Sequence, residues 1–65
     1  MSRAKKIERI QTYHPGLYVK LRKEVPELIK SPEDATSQDI KVYNDLISDY
    51  AKKQSIPIFA KNFSF

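Results

Sequence analysis

His14 is the only side chain of this 65-residue sequence that ordinarily titrates near neutrality, and it has neither a second histidine nor a cysteine to work with. Nucleophilic catalysis needs a base and a nucleophile within reach of each other, and a structural zinc site needs about four His or Cys ligands. His14 stands beside Pro15 in a break of the chain, so its placement predicts a turn residue with no catalytic or ligand role. Glu33, Asp34, Asp39, Asp45 and Asp49 are the acidic set. A calcium loop wants closely spaced oxygens around a glycine turn, and Gly16 is the only glycine in the chain. That single glycine equally fails to build a phosphate-cradling loop, so the acids read as helix caps and a solvated face. No catalytic residue, cofactor or metal is expected, and a chain this short has little room for a water-excluding cleft.

Two other sets carry binding chemistry. The first is basic: Arg3, Lys5, Lys6, Arg9, Lys20, Arg22, Lys23 and Lys30. The net charge is +4, and it is segregated. Residues 1–30 hold eight Lys/Arg against three acids, residues 31–50 one lysine against five acids, and residues 51–65 three lysines and no acid. Basic ends around an acidic middle can attract a polyanion, or draw one segment of the fold against another. Neutralising phosphates would release counterions and give salt-sensitive affinity for DNA or RNA. Arg3, Lys5, Lys6, Arg9, Lys20 and Lys23 are the residues expected to do it, with Tyr13 and Tyr18 available for stacking on bases. Arg22 falls near the edge of an apolar stripe. The most regular helix of the chain carries Asp39, Asp45 and Asp49, which does not suit a recognition helix in a major groove.

The second set is the aromatic end, Ile56-Pro57-Ile58-Phe59-Ala60-Lys61-Asn62-Phe63-Ser64-Phe65. Phe59, Phe63 and Phe65 share one parity and would emerge on the same side of an extended segment. Three phenylalanines left in water cost roughly 1.5 to 3 kcal/mol each, so the segment either folds back over the helices or docks elsewhere. Ile58, Phe59, Phe63 and Phe65 are the expected partner-binding residues, through strand addition or pocket filling on a protein. Contact with the fold is expected to fade along the segment, with Phe59 turned inward and Phe65 exposed.

Both sets must be positioned by helices. Ile40, Tyr43, Leu46, Ile47, Tyr50 and Ala51 recur at helical spacing over residues 39–53, and Leu17, Tyr18, Leu21, Val25, Leu28 and Ile29 do the same over residues 16–30. Two such apolar faces must cover each other or a partner. Pro26 interrupts the earlier stripe, which predicts either one kinked helix or two shorter ones meeting near Val25. Pro15 or Gly16 opens that helix, Ser31-Pro32 opens a short one with Ser31 as N-cap, and Thr36-Ser37-Gln38-Asp39 offers a second cap for the long one, which closes on Lys52 and Lys53. Lys41/Asp45 and Asp49/Lys53 are spaced for ion pairs on its outer side. Residues 3–12 form a short helix or a mobile basic arm.

Ser37-Gln38-Asp39-Ile40-Lys41 resembles the Ser-Gln-Glu-Leu-Asp signature of the small helical-hairpin phosphatases that act on sporulation response regulators. Lys41 stands where that family has its aspartate, and the resemblance spans five residues, so no activity is carried over from it.

The expectation is an all-α single domain over residues 1–65, with two main antiparallel helices at about 16–30 and 37–53. Residues 1–14 form the arm or minor N-terminal helix, residues 15–54 the helical core and residues 55–65 the aromatic tail. A mixed fold pairing the tail with residues 17–21 as a strand ranks second. Chains below about 70 residues keep little net stability and usually add a disulfide, a metal or a subunit. The first two are missing from the sequence, so self-association or docking on a protein is expected. Absence of cysteine and of an apolar run of about 18 residues points to the cytoplasm. The functional expectation is a small non-enzymatic regulator that binds a protein partner, or alternatively a basic DNA- or RNA-binding regulator acting through its N-terminal half.

Overall fold

The computed structural model describes residues 2–65. It is all-α: α1 Arg3–Tyr13, α2 Pro15–Glu24, α3 Pro26–Lys30, a 3₁₀ turn Pro32–Asp34, α4 Ser37–Lys53 and α5 Pro57–Phe63. There is no strand among the described residues, and residues 17–21, the alternative strand, lie within α2. Among the described residues no helix is long and apolar enough to cross a membrane.

Proline sets the boundaries. Pro15, Pro26, Pro32 and Pro57 each begin a helical segment, where a missing N–H costs nothing. Clash with the proline ring moves the preceding residue out of the α region. His14, Val25, Ser31 and Ile56 accordingly share one conformation, with φ between −136° and −127° and ψ between 60° and 75°. These joints lose few hydrogen bonds. The His14, Val25 and Ser31 amides donate back to Ile10, Leu21 and Glu27 at 2.8, 2.8 and 2.9 Å, and the carbonyls of the same residues accept the first bond of the segment that follows. Of the two alternatives for residues 16–30, one kinked helix or two shorter ones, the chain takes two helices that meet at Val25.

Side chains cap the two longest helices at their starts. Ser2 Oγ accepts from the Lys5 amide and Thr36 Oγ1 from the Asp39 amide, both at 3.2 Å. Asp39, in the first turn of α4, also places a carboxylate at the positive end of the helix dipole. Ser31, expected to cap through its hydroxyl, makes no side-chain cap bond. On α4 the Asp49/Lys53 pair forms at 3.2 Å, while Lys41/Asp45 is not among the ion pairs of the described residues.

The two stripes do meet. Leu17, Leu21, Val25 and Leu28 are buried in one cluster with Tyr43, Ile47 and Ala51. Ile7 and Ile10 of α1 and Phe59 of α5 complete it, so the N-terminal segment is a helix built into the core and not a mobile arm. Ile10, Leu21, Leu28, Tyr43 and Ile47 have no exposed surface at all, and among the described residues no buried side-chain polar atom lacks a partner.

The tail corrects the sequence reading. Residues 57–63 are a helix, not an extended segment, and Phe59 and Phe63 stack one turn apart with centroids 4.6 Å from each other. The joint before it is a Schellman motif: Ser55 N–H bonds to Lys52 O at 3.2 Å and Ile56 N–H to Ala51 O at 2.9 Å. Ser55 supplies the left-handed residue with φ 56°, a place usually held by glycine.

Candidate functional site

The aromatic set lands largely inside. Phe59 is buried, edge-on to His14 at 4.8 Å and tilted against Tyr50 at 5.2 Å. His14 is the pivot of that cluster: its Nδ1 shares a 3.0 Å hydrogen bond with the Tyr50 hydroxyl, which ties the joint between α1 and α2 to α4. Phe63 and Phe65 are half-buried. Phe65, expected to be the most exposed, stacks on Tyr43 with centroids 4.0 Å apart and planes 14° apart. Ile58 alone of the four expected partner-binding residues stays open, at 59% exposure.

A polar clamp holds the segment that follows α5. The Tyr43 hydroxyl donates to Phe63 O at 2.6 Å and Lys6 Nζ to Ser64 O at 2.9 Å. Asn44 takes both sides of Phe65, accepting from its N–H at 2.7 Å and donating to its main-chain oxygen at 3.4 Å. Burial pushes the Tyr43 phenol well above its ordinary value near 10, because the interior disfavours a phenolate.

The basic set divides. Arg3 Nη1 donates to Pro32 O at 3.2 Å, and both the Arg3 guanidinium and the Lys6 ammonium lie over the Phe65 ring, 5.4 and 5.8 Å from its centroid. These two cations are spent within the fold. Arg22, near the stripe edge, lies 5.9 Å from the centroid of the Tyr18 ring. Lys5, Arg9, Lys20 and Lys23 are exposed. Lys5 and Arg9 lie in file with Tyr13 at four-residue spacing on α1, in steps of about 6 Å along the axis. Together with Glu8 and Thr12 they line a shallow depression of about 470 Å³. Tyr13 is 73% exposed, the most open large apolar side chain described. Glu8 sits 3.9 Å from Lys5, so this face is not uniformly cationic.

Sequence reasoning grouped Arg3 and Lys6 with the free cations because charge alone does not reveal which lysine reaches a tail 58 residues away. Asn44 and Tyr43 as readers of the tail's main chain carried no local signal either.

Among the described residues no group of three or more His, Cys, Asp or Glu is placed to hold a metal ion. Comparison with protein-family models, curated proteins and solved structures finds no match.

Proposed function

We propose that this chain is a small non-enzymatic protein that binds nucleic acid through the outer faces of α1 and α2. The observation that carries the reading is the file Lys5–Arg9–Tyr13, two exposed cations followed by an aromatic ring left 73% in solvent. Lys20 and Lys23 add exposed positive charge on the next helix. Lys5 and Arg9 supply phosphate contacts and Tyr13 a platform for a base, a pairing of charge and stacking suited to nucleic acid. Glu8 in the same depression lowers the purely electrostatic attraction, which gives the ring a larger share of the binding.

Fluorescence anisotropy with a labelled oligonucleotide tests it. Affinity should fall with added salt, and Lys5→Ala with Arg9→Ala should flatten the log–log salt slope by about 1.5. Tyr13→Ala should weaken binding by roughly 5- to 150-fold, the equivalent of about 1 to 3 kcal/mol of stacking. Absence of any binding at low salt rejects the reading.

The protein-partner reading keeps one specific support. Ile58 is exposed on α5, a helix that also borders a depression of about 380 Å³ lined by Ser48, Ala51, Lys52, Ser55, Pro57 and Ala60. If that face binds a protein, Ile58→Asp removes capture of the partner and leaves the circular dichroism unchanged.

A further inference from the structure

Residues 63–65 are held as a bound peptide would be. Each is read through its main chain by a side chain of another helix: Phe63 by Tyr43, Ser64 by Lys6 and Phe65 by Asn44. The Phe65 ring lies against Tyr43 and near the cations of Arg3 and Lys6. This cradle belongs to α1 and α4. It recognises an aromatic–small–aromatic segment by backbone and ring, and none of those contacts requires the segment to come from the same chain.

The joint that keeps the contact intramolecular is Gln54–Ser55–Ile56. Gln54 and Ser55 are exposed, and Ser55 holds a φ of 56° that an L side chain adopts at a cost. A short hinge under strain favours exchange of the element beyond it, because opening the turn relieves the strain while every cradle contact is made again between copies. The opposing term is the pair of Schellman bonds at Lys52 and Ala51, which are lost when the hinge extends.

We propose that the cradle is an interface for a second copy of this chain: α5 and residues 64–65 cross from one molecule to the other, and each copy's Phe63, Ser64 and Phe65 fill its partner's cradle. The inference is independent of nucleic-acid binding.

An isotope-mixed sample of the full-length protein tests it. Labelled and unlabelled chains are mixed, unfolded and refolded together at high concentration, and NOEs between differently labelled chains are recorded. Exchange predicts interchain NOEs between the Tyr43 and Phe65 rings, which stack within the cradle, and a light-scattering mass of two chains that rises with concentration. Adding Ser55→Gly relaxes the closed turn and should lower both. Ser55→Pro cannot adopt the closed turn and should shift the population toward the dimer. A folded protein that stays monomeric at every concentration and shows no interchain NOE between the Tyr43 and Phe65 rings overturns the proposal, whether or not Ser55→Pro folds. So does a monomer that takes up a free peptide of the residue 57–65 sequence while forming no dimer, because the cradle would then serve a foreign aromatic segment.

Discussion

Replacing Tyr43 by phenylalanine removes one oxygen from the centre of the molecule and keeps the ring that stacks on Phe65. The hydroxyl has no exposed surface and donates to Phe63 O at 2.6 Å, so its loss leaves that carbonyl without its partner. A hydrogen bond of this kind contributes about 1 to 2 kcal/mol once the unpaired acceptor is included. Tyr43→Phe should therefore be less stable than the parent by that amount near neutral pH. The difference then depends on pH in a defined direction. Burial raises the folded-state pKa above the ordinary value near 10, so the native protein holds this proton more tightly than the unfolded chain does. Stability from this group is fully present below about pH 10 and falls as pH rises toward the folded value, by about 1.4 kcal/mol per pH unit. Other groups titrate in both proteins alike. The gap between parent and variant should hold constant up to about pH 9 and shrink by roughly 1.4 kcal/mol near pH 11. Urea midpoints followed by circular dichroism across that range measure it. A gap that stays constant through the alkaline range would show that Tyr43 is not the buried donor holding Phe63.

Two substitutions should stabilise, for opposite reasons. Ser55→Gly removes the left-handed strain and should gain roughly 0.5 to 1 kcal/mol, read as a higher melting temperature. Gly16→Ala lies within α2, where an added Cβ would meet nothing within 4 Å, and should gain about 0.5 to 1 kcal/mol by the same measurement.

The helices were legible where a stripe was long or a proline marked its edge. Residues 39–53 carry enough turns to separate a period of 3.6 from one of 2, and Pro15 and Pro26 bracket α2. The tail misled because Phe59 and Phe63 are four apart, a spacing that satisfies both periods, and Phe65 added a third residue of the same parity. Ile56-Pro57 carried the same start signal as His14-Pro15 and was the discriminating feature. For the basic set, charge in the sequence carries no information about where each cation goes. Arg3 and Lys6 sit among lysines and arginines that stay in water, and only the return of Phe65 to α4 separates them.

Tyr43 couples the tail to the core, and this sets the order in which the molecule can open. One side chain is a fully buried core member, a stacking surface for Phe65 and the donor to Phe63. Detaching residues 63–65 alone bares one face of Tyr43, but carrying α5 away as well withdraws Phe59 from His14 and Tyr50. The first opening breaks four side-chain hydrogen bonds at the partly buried edge of the fold, and the second uncovers the cluster that ties α1 to α4. Local openings of this graded kind span free energies from near zero to the global value. Exchange between copies needs the larger opening, so it should proceed through states in which the core is already loosened. Substitutions that weaken the core without removing a cradle residue, Ile10→Ala among them, should speed it, read as faster appearance of the two-chain mass after dilution into refolding conditions.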